Sequence, residues 1–423
     1  MLYERWRQIA SNWPDRIALR DLTAGEAWTF RELLALTENH SPIGESVAFP
    51  QGTSAAFIFA VLQAWRTNAV TCPLESSQTV PAIRGPLPDG VVHLKTTSAT
   101  TGAPRLVAFT AAQLIADAQN IVTTMNLRPE WSNLGVISLA HSYGFSNLIL
   151  PLLLHGVPLI LVGSALPEAV RLAAAMEDEV TLAAVPALWG KWHEADAIPR
   201  NVRLAVSAGA PLPLNLEQDI FKKNGLKIHN FYGSTECGGI AYDRSDQPRI
   251  EASCAGAPMQ NVAVSVNGNG CLRVQGQAVG LTYWPELNEN LRDGIFRTSD
   301  LAEISGGHVY LRGRDSDQIN VAGRKVLPEA IEEALAAHPD VRECITFGVP
   351  SADPGRGETI VACLAVKRDV SGDALKQYLL NKLPAWQVPR EWWFVDSLAV
   401  NERGKLSRME SRKRYLELAQ RKT

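Results

Sequence analysis

No two of the six cysteines, at 72, 237, 254, 271, 344 and 363, lie close enough in sequence to form a CxxC pair. That excludes a zinc knuckle or a dithiol redox motif, and the reduced thiols of a cytoplasmic protein are the expectation. Charge of one sign is also scarce: 41 Lys and Arg stand against 44 Asp and Glu, a formal charge of −3. Such a balance offers no global field for a polyphosphate backbone, so nucleic acid is not an expected partner. Long apolar runs are missing as well. The most apolar stretch, 148–162, is interrupted by Pro151, His155, Gly156 and Pro158 and is too short to span a bilayer. It is expected to be buried core. The opening MLYERWRQIASNW has no apolar signal core, so a cytoplasmic protein that does not engage a membrane is expected. No internal repeat or low-complexity tract divides the 423 residues.

What is present is an ordinary globular mixture, 46% hydrophobic and 20% charged, with length enough for two or three cores. Over roughly the first 300 residues, amphipathic helical stretches alternate with short apolar runs. Residues 55–66 read as a helix; 134–140, 159–163, 182–185 and 202–207 read as buried strands. Alternation of this kind predicts helix-covered, parallel sheets. After about residue 250 the pattern turns to β: NVAVSVNGNGCLRVQG is two strands about an Asn-Gly turn, and HVYLRGR is another strand. The last hundred or so residues read as a small α+β unit, with helices in LPEAIEEALAAHPDV and GDALKQYLLNKL and strands in ECITFGVP, TIVACLAVK and REWWFVDSL. The expected fold is therefore α/β. A large N-terminal domain of helix-covered sheets with a β-rich part spans 1–314, and a small α+β domain spans 315–423.

Four stretches carry chemistry. In Thr96 to Arg105, five hydroxyls, Gly102 and a guanidinium fall within ten residues, a set suited to wrapping a polyphosphate. It lacks the Gly-Lys-Ser/Thr of a Walker loop and also reads as a solvated linker. Asn230 to Glu236 (NFYGSTE) joins an aromatic that can stack on a purine to a carboxylate that can hold Mg²⁺. Alone, it reads equally as a strand-to-turn with a surface acid. FRTSD at 296–300 and Gly313-Arg314 place an Asp and an Arg at the ends of neighbouring strands, where both can reach a ribose or simply pair with each other. Finally, NERGKLSR at 401–408 puts Lys405 after a glycine in a late loop, able to bring a mobile positive charge to a phosphate.

In order and spacing the four together resemble the ANL superfamily of adenylate-forming enzymes, which includes acyl-CoA and aryl-CoA synthetases, peptide-synthetase adenylation domains and luciferases. The resemblance extends to WTFREL at 28–33, SAGAPLP at 207–213, GCLRVQGQAVGLTYW at 270–284 and GRDSDQINVAGRKVLP at 313–328, and so covers nearly the whole chain. It implies an ATP- and Mg²⁺-dependent acid–thiol ligase. A small carboxylic acid becomes an acyl-adenylate and is then passed to CoA or to a phosphopantetheinyl acyl-carrier protein. By the same resemblance, Thr97, Ser98, Thr100, Thr101, Gly102 and Arg105 hold the phosphates, and Tyr232 stacks on adenine. Asn230 meets its amine, and Gly209, Ala210 and Pro211 cover its other face. Thr235 touches the α-phosphate, Glu236 holds Mg²⁺, Asp300 and Arg314 bind the ribose, and Lys405 bridges the carboxylate and the α-phosphate. Ser316 is the hinge of a rotating C-terminal domain, and Gly323 lines the pantetheine channel.

The acid pocket is implied in HSYGFSN, with His141 either at the carboxylate or in the core, Tyr143 and Phe145 beside it, and Gly238 and Gly239 leaving room for a ring or a chain. No Asp stands near Tyr143 to meet an ammonium, so an aryl or acyl acid is expected rather than an amino acid. Arg408, Arg412, Lys413 and Arg414 form a basic cluster that meets a CoA phosphate or an acidic carrier domain, or is simply solvated. The chain departs from the family pattern at Ala99, at Arg105 in place of Lys, at Ser316 and at Ala330. Only about twenty residues separate PLESSQ at 73–78 from the phosphate loop, which implies a shortened N-terminal subdomain. These departures leave open a second reading, a non-catalytic nucleotide-binding relative that serves a partner protein.

Overall fold

The computed structural model describes residues 1–40, 44–83, 85–97, 105–351, 357–398 and 407–420. Its centre is a sheet of 14 strands. One half is parallel, with Ile17–Asp21, Leu159–Leu161, Ser132–Gly135, Val180–Ala184, Val202–Ser207 and Ile228–Ser234 side by side. Leu159–Leu161, Val180–Ala184 and Val202–Ser207 are apolar along most of their length, as strands covered on both faces are, and Val180–Ala184 is buried at every position. At Ile228–Ser234 the sheet changes character, since its next neighbour, Gly238–Tyr242, runs antiparallel. From there Cys254–Pro258, His308–Arg314, Ile295–Ser305, Cys271–Gly276 and Val262–Val266 continue antiparallel. The α/β class expected from the sequence is the one observed.

Two expected strands end early. The run at 134–140 forms a strand only over Ser132–Gly135, because the following residues leave the sheet and pack against the next helical segment. A Cβ on Gly144 would stand 1.9 Å from the carbonyl oxygen of Ser138, so this contact is made backbone to backbone. The strand expected over 159–163 is confined to Leu159–Leu161.

A second sheet of five strands flanks the large one, ordered Thr282–Trp284, Leu106–Thr110, Val91–Thr96, Val70–Thr71 and Val47–Ala48. Val70–Thr71 and Val91–Thr96 are parallel, a pairing usually bridged by a helix. Among the described residues of 72–90 there is no helix, only a loop, at the place where the sequence implies a shortened subdomain. Gln51 secures this loop, its Nε2 donating to the carbonyls of Glu75, Ser76 and Gln78 at 2.8–3.3 Å.

Beyond Arg314 a 3₁₀ turn, Asp315–Asp317, leads into the hairpin Ile319–Val321/Arg324–Val326 and a three-stranded sheet of Val341–Pro350, Glu358–Val366 and Glu391–Phe394. Helices Pro328–Ala336 and Gly372–Leu380 complete its core around Ile331, Leu335, Leu375 and Leu379, all 0% exposed. Among the described residues no helix is long and apolar enough to cross a membrane. All six cysteines are free.

Candidate functional site

A cavity of about 220 Å³ opens where the large sheet changes from parallel to antiparallel, beyond the carboxyl ends of the parallel strands. Open α/β sheets bind ligands in such a crevice, because diverging loops leave a gap there that the sheet itself cannot fill. It is walled by the segment after Ser132–Gly135, Ala208 and Gly209, the stretch from Phe231 to Gly239, the ends of Ile295–Ser305 and His308–Arg314, and Thr97.

The antiparallel ends bring Asp300 and Arg314 directly opposite each other in register. Arg314 Nε donates to Asp300 Oδ1 at 2.8 Å, and the Tyr232 hydroxyl donates to Asp300 Oδ2. Burial raises the Tyr232 phenol well above its ordinary pKa, and the Asp300 charge adds to that, so it stays protonated and donates. Burial opposes the charge on Arg314, but Asp300 outweighs it and the guanidinium pKa rises. The result is one fixed carboxylate and one fixed cation side by side on the wall. Glu236 stands on the same wall, and the Tyr283 hydroxyl donates to its Oε1 at 3.0 Å. Burial, with Glu236 second, raises the Tyr283 pKa. The Arg105 guanidinium lies 5.6 Å from the Tyr283 ring centre.

Of the residues singled out in the sequence, Thr97, His141, Tyr143, Gly209, Tyr232, Thr235, Glu236, Gly238, Gly239, Asp300 and Arg314 all line this one cavity. Thr97 and Arg105 close the base of the proposed phosphate loop, with Thr97 N donating to Arg105 O at 2.9 Å and Arg105 N to Thr97 Oγ1 at 3.1 Å. Ser98, Thr100, Thr101 and Gly102 lie outside the described residues, as does Lys405. Gly209 takes φ +88°, which a side chain would disfavour. Ala210 and Pro211, next along the chain, are not part of the wall, and neither is Asn230, whose Nδ2 donates to Cys254 O at 3.2 Å.

Several expectations need correction. Phe145 is 0% exposed and faces away from the cavity, stacked on His93 with ring centres 4.4 Å apart. The glycines at 238 and 239 border the cavity, but they do not make room for a ligand. A Cβ on Gly238 would stand 2.0 Å from Asp117 Oδ1, and one on Gly239 would stand 2.9 Å from the Phe231 ring. Their missing side chains let those two groups come close. Gly323, at φ +80°, follows Ala322, at φ +51°, in the tight turn between Ile319–Val321 and Arg324–Val326, and no atom lies within 4 Å of a Cβ built on it. Turn geometry explains this glycine. Arg408 is not part of a solvent-facing basic cluster: it is held by Asp317, Glu329 and Glu332 at 2.7–2.9 Å.

His141 caps the short helix Ser142–Gly144, its Nδ1 accepting from Tyr143 N at 3.2 Å, so it is both structural and on the cavity wall. That helix continues as a π-turn over Phe145–Ile149, which carries Ser146 and Asn147 into the wall. Both lie in HSYGFSN and Thr298 and Ser299 lie in FRTSD, the stretches quoted above, but the sequence assigns none of the four a role of its own. Thr298 Oγ1 accepts from Asp300 N at 3.0 Å and so steadies the acid. Tyr283 lies in LTYW, where nothing local marks it. Its role depends on a contact across 47 positions, which local pattern cannot reveal.

Comparisons with known proteins agree with this geometry. A family profile described as AMP-binding enzyme matches residues 76–284, and one described as AMP-binding enzyme C-terminal domain matches 330–405. A feruloyl-CoA synthase of Amycolatopsis sp is 31% identical over 353 residues, covering 77% of this chain and 70% of the relative. A 2-succinylbenzoate–CoA ligase of Bacillus licheniformis is 28% identical over 336 residues, covering 76% and 69%. Among solved structures, ATP-bound MatB from Rhodopseudomonas palustris superposes with a TM-score of 0.86 at 20% identity, covering 99% of this chain and 100% of that one. The o-succinylbenzoate CoA synthetase of Bacillus subtilis gives 0.83 at 21% identity, with 96% and 98% covered. The chain belongs to the AMP-binding enzyme family, within the ANL superfamily of adenylate-forming enzymes.

Proposed function

We propose that the protein is an ATP-dependent acid–CoA ligase acting on an aryl or acyl carboxylic acid. The observation that carries this reading is one cavity lined by the bonded set Tyr232, Asp300 and Arg314 together with Glu236, Thr235, His141 and Tyr143. A nucleoside needs a stacking surface and fixed partners for its ribose hydroxyls, and Tyr232 with the Asp300–Arg314 pair supplies both. The substrate carboxylate forms a bond to the α-phosphorus while the bond to the β-phosphate oxygen breaks, releasing pyrophosphate. A thiol then displaces AMP to give the thioester. Charge grows on oxygen in both steps, so donors fixed before the reaction are what lower the barrier.

Glu236 is the residue that would hold Mg²⁺, which supplies charge neutralisation at the phosphates. Among the described residues no three His, Cys, Asp or Glu side chains gather as a metal cage. One carboxylate suits an ion that arrives with nucleotide phosphates and water as its other ligands. Tyr283 orients that carboxylate. Among the described residues the acids lining the cavity are Glu236, which accepts from Tyr283, and Asp300, which is held by Tyr232 and Arg314, while Asp117, behind Gly238, is paired with Lys95. This disfavours amino acids.

CoA is proposed as the acceptor because the curated relatives named above are CoA synthases and ligases. The test is acid-dependent pyrophosphate release, followed by thioester formation with CoA or with a phosphopantetheinyl carrier protein, across a panel of carboxylic acids. Lys405→Ala is expected to lower adenylation by about a hundredfold or more, the cost of one lost transition-state contact of about 3 kcal/mol. Silence of the wild type with every acid, despite ATP binding, would favour the non-catalytic reading.

A further inference from the structure

Behind the cavity wall the chain buries an ion pair that the reading above does not use. Lys95, on Val91–Thr96, and Asp117, on helix Ala111–Met125, are each 3% exposed, with Lys95 Nζ 3.5 Å from Asp117 Oδ2. Ser146 joins them: its hydroxyl donates to Asp117 Oδ2 at 2.6 Å and accepts from Lys95 Nζ at 3.1 Å. Lys95 Nζ also lies 4.7 Å from the centre of the Phe109 ring. Burying two charges costs more than a well-packed apolar pair would, so their presence beside a cavity calls for a reason.

The hydrogen-bond count supplies one. Ser146 Oγ has spent its proton and one lone pair, which leaves one lone pair on a side chain that lines the cavity. Asp117 Oδ1 is buried and accepts no hydrogen bond in the structure. Asp117 packs directly behind Gly238, which lines the cavity and, at φ +69°, has no Cβ to hold it off. The cluster therefore has acceptor capacity to spare and no excess charge, since Lys95 and Asp117 cancel. A carboxylate or sulfonate tail would find no counter-charge there. A hydroxyl, which brings a proton and no charge, fits. Two aromatic residues, Tyr143 and Phe231, line the same cavity.

We propose that Ser146, held by Lys95 and Asp117, reads a hydroxyl on the acid substrate, so that the enzyme selects hydroxylated aromatic or unsaturated acids over their unsubstituted parents. This rests on the adenylating activity proposed above. A site that has placed a buried acceptor for a substrate O–H discriminates against the analogue lacking it, because the acceptor is then left without a partner.

The experiment compares kcat/KM for pyrophosphate release with paired acids: benzoate with 3- and 4-hydroxybenzoate, cinnamate with 4-hydroxycinnamate, and 3-phenylpropanoate with its 4-hydroxy form. At least one hydroxylated acid is expected to exceed its parent by about ten- to a hundredfold. Ser146→Ala should bring that ratio close to one, and Ser146→Thr, which keeps the hydroxyl, should restore much of it. If Ser146→Ala fails to fold, the Lys95→Met/Asp117→Leu double variant removes the anchor of Ser146 without stranding a charge, and the same collapse of the ratio is expected. Equal rates for each pair in the wild type overturn the inference while leaving the ligase reading intact. So does a ratio unchanged in both Ser146→Ala and the double variant, or a dicarboxylic acid as the best substrate. Absence of pyrophosphate with every acid overturns both.

Discussion

Lys227, Glu217, Asp243 and Arg249 form one buried ionic cluster, and Lys95, Asp117 and Ser146 form another, yet the two are finished differently. In the first, Lys227 is held by Glu217 and by Asp243 at 2.6 Å, and Glu217 also takes Arg249 Nε at 2.9 Å and Arg249 N at 3.1 Å. The Arg249 guanidinium goes on to the carbonyls of Leu212, Ala252 and Cys254 at 2.7–3.1 Å. Asp243 is completed by Ser245 N and Oγ. This cluster ties together three loops, including the one that carries Gly209, Ala210 and Pro211 into Leu212. In the second, Asp117 Oδ1 is left over, and the cluster reaches the cavity through Ser146. A fully paired network holds backbone in place; one that leaves an acceptor over does not spend all its capacity on the fold.

The largest effect expected from breaking this comparison is in the finished cluster. Glu217 is 0% exposed, and Glu217→Ala leaves Arg249 without its carboxylate and Lys227 with Asp243 alone, one buried cation in excess. A loss of about 3–5 kcal/mol in unfolding free energy is expected, read by urea denaturation. A loss under about 1 kcal/mol would show that water relieves the excess cation and that the cluster is not the tie described here.

How much of this was legible in the sequence follows from how far each signal reaches. The sheets and much of the cavity wall were readable because their signals are local: alternating apolar strands, YGSTE at the end of one strand, and Asp300 and Arg314 on two strands that a single turn connects. Lys95 and Asp117 were not, since neither belongs to a motif and their pairing is a tertiary contact across 22 positions. A faint signal existed. Lys95 interrupts the apolar run VVHLKT, and Asp117 falls between Leu114 and Ile121 on the buried face of its helix, so each charge sits where an apolar residue is expected. Phe145 misled for the opposite reason: a residue beside the site in sequence points the other way once the π-turn sets its direction.

A smaller effect concerns acid. Each cluster has a buried histidine beside it. His93 is stacked on Phe145 and meets Thr71 Oγ1 at 2.6 Å through Nδ1, and His229 meets Asp243 O at 2.9 Å and stacks on Tyr242. Burial first, then Lys95, holds the His93 pKa well below its ordinary value, and burial also lowers that of His229. Away from both clusters, burial and then Arg5 lower His155 to about 4. Unfolded, all three take up a proton near pH 6.5, before the folded forms do. Their contribution is therefore complete above about pH 6.5 and falls as the pH drops toward 4. Asp243, whose carboxyl is held below its ordinary range by Lys227 and Ser245 despite the opposing effect of burial, adds a further loss at lower pH. Tm measured from pH 8 to pH 4 should begin to fall below about 6.5, and His93→Phe should flatten that first part of the curve more than His229→Phe, because His93 is the more deeply enclosed. An equal response in the two variants would mean that enclosure does not set the difference.

The smallest expected change is in stability when the cavity cluster is removed as a whole. Asp117→Ala alone strands Lys95, and it should be as harmful as Glu217→Ala, about 3–5 kcal/mol. Lys95→Met/Asp117→Leu removes both charges at once and fills the space with apolar groups of similar size. Replacing a buried ion pair in this way is often neutral or stabilising, because the desolvation cost goes with it. The double variant should therefore unfold within about 1 kcal/mol of the wild type. The stability difference between the single and the double variant measures what the lone lysine costs. If the double variant is as unstable as Glu217→Ala, the pair at 95 and 117 is holding the fold together, and the contrast between the two clusters disappears. If it is as stable as the wild type, the pair is not what holds this part of the fold together, and the contrast with the Glu217 cluster stands.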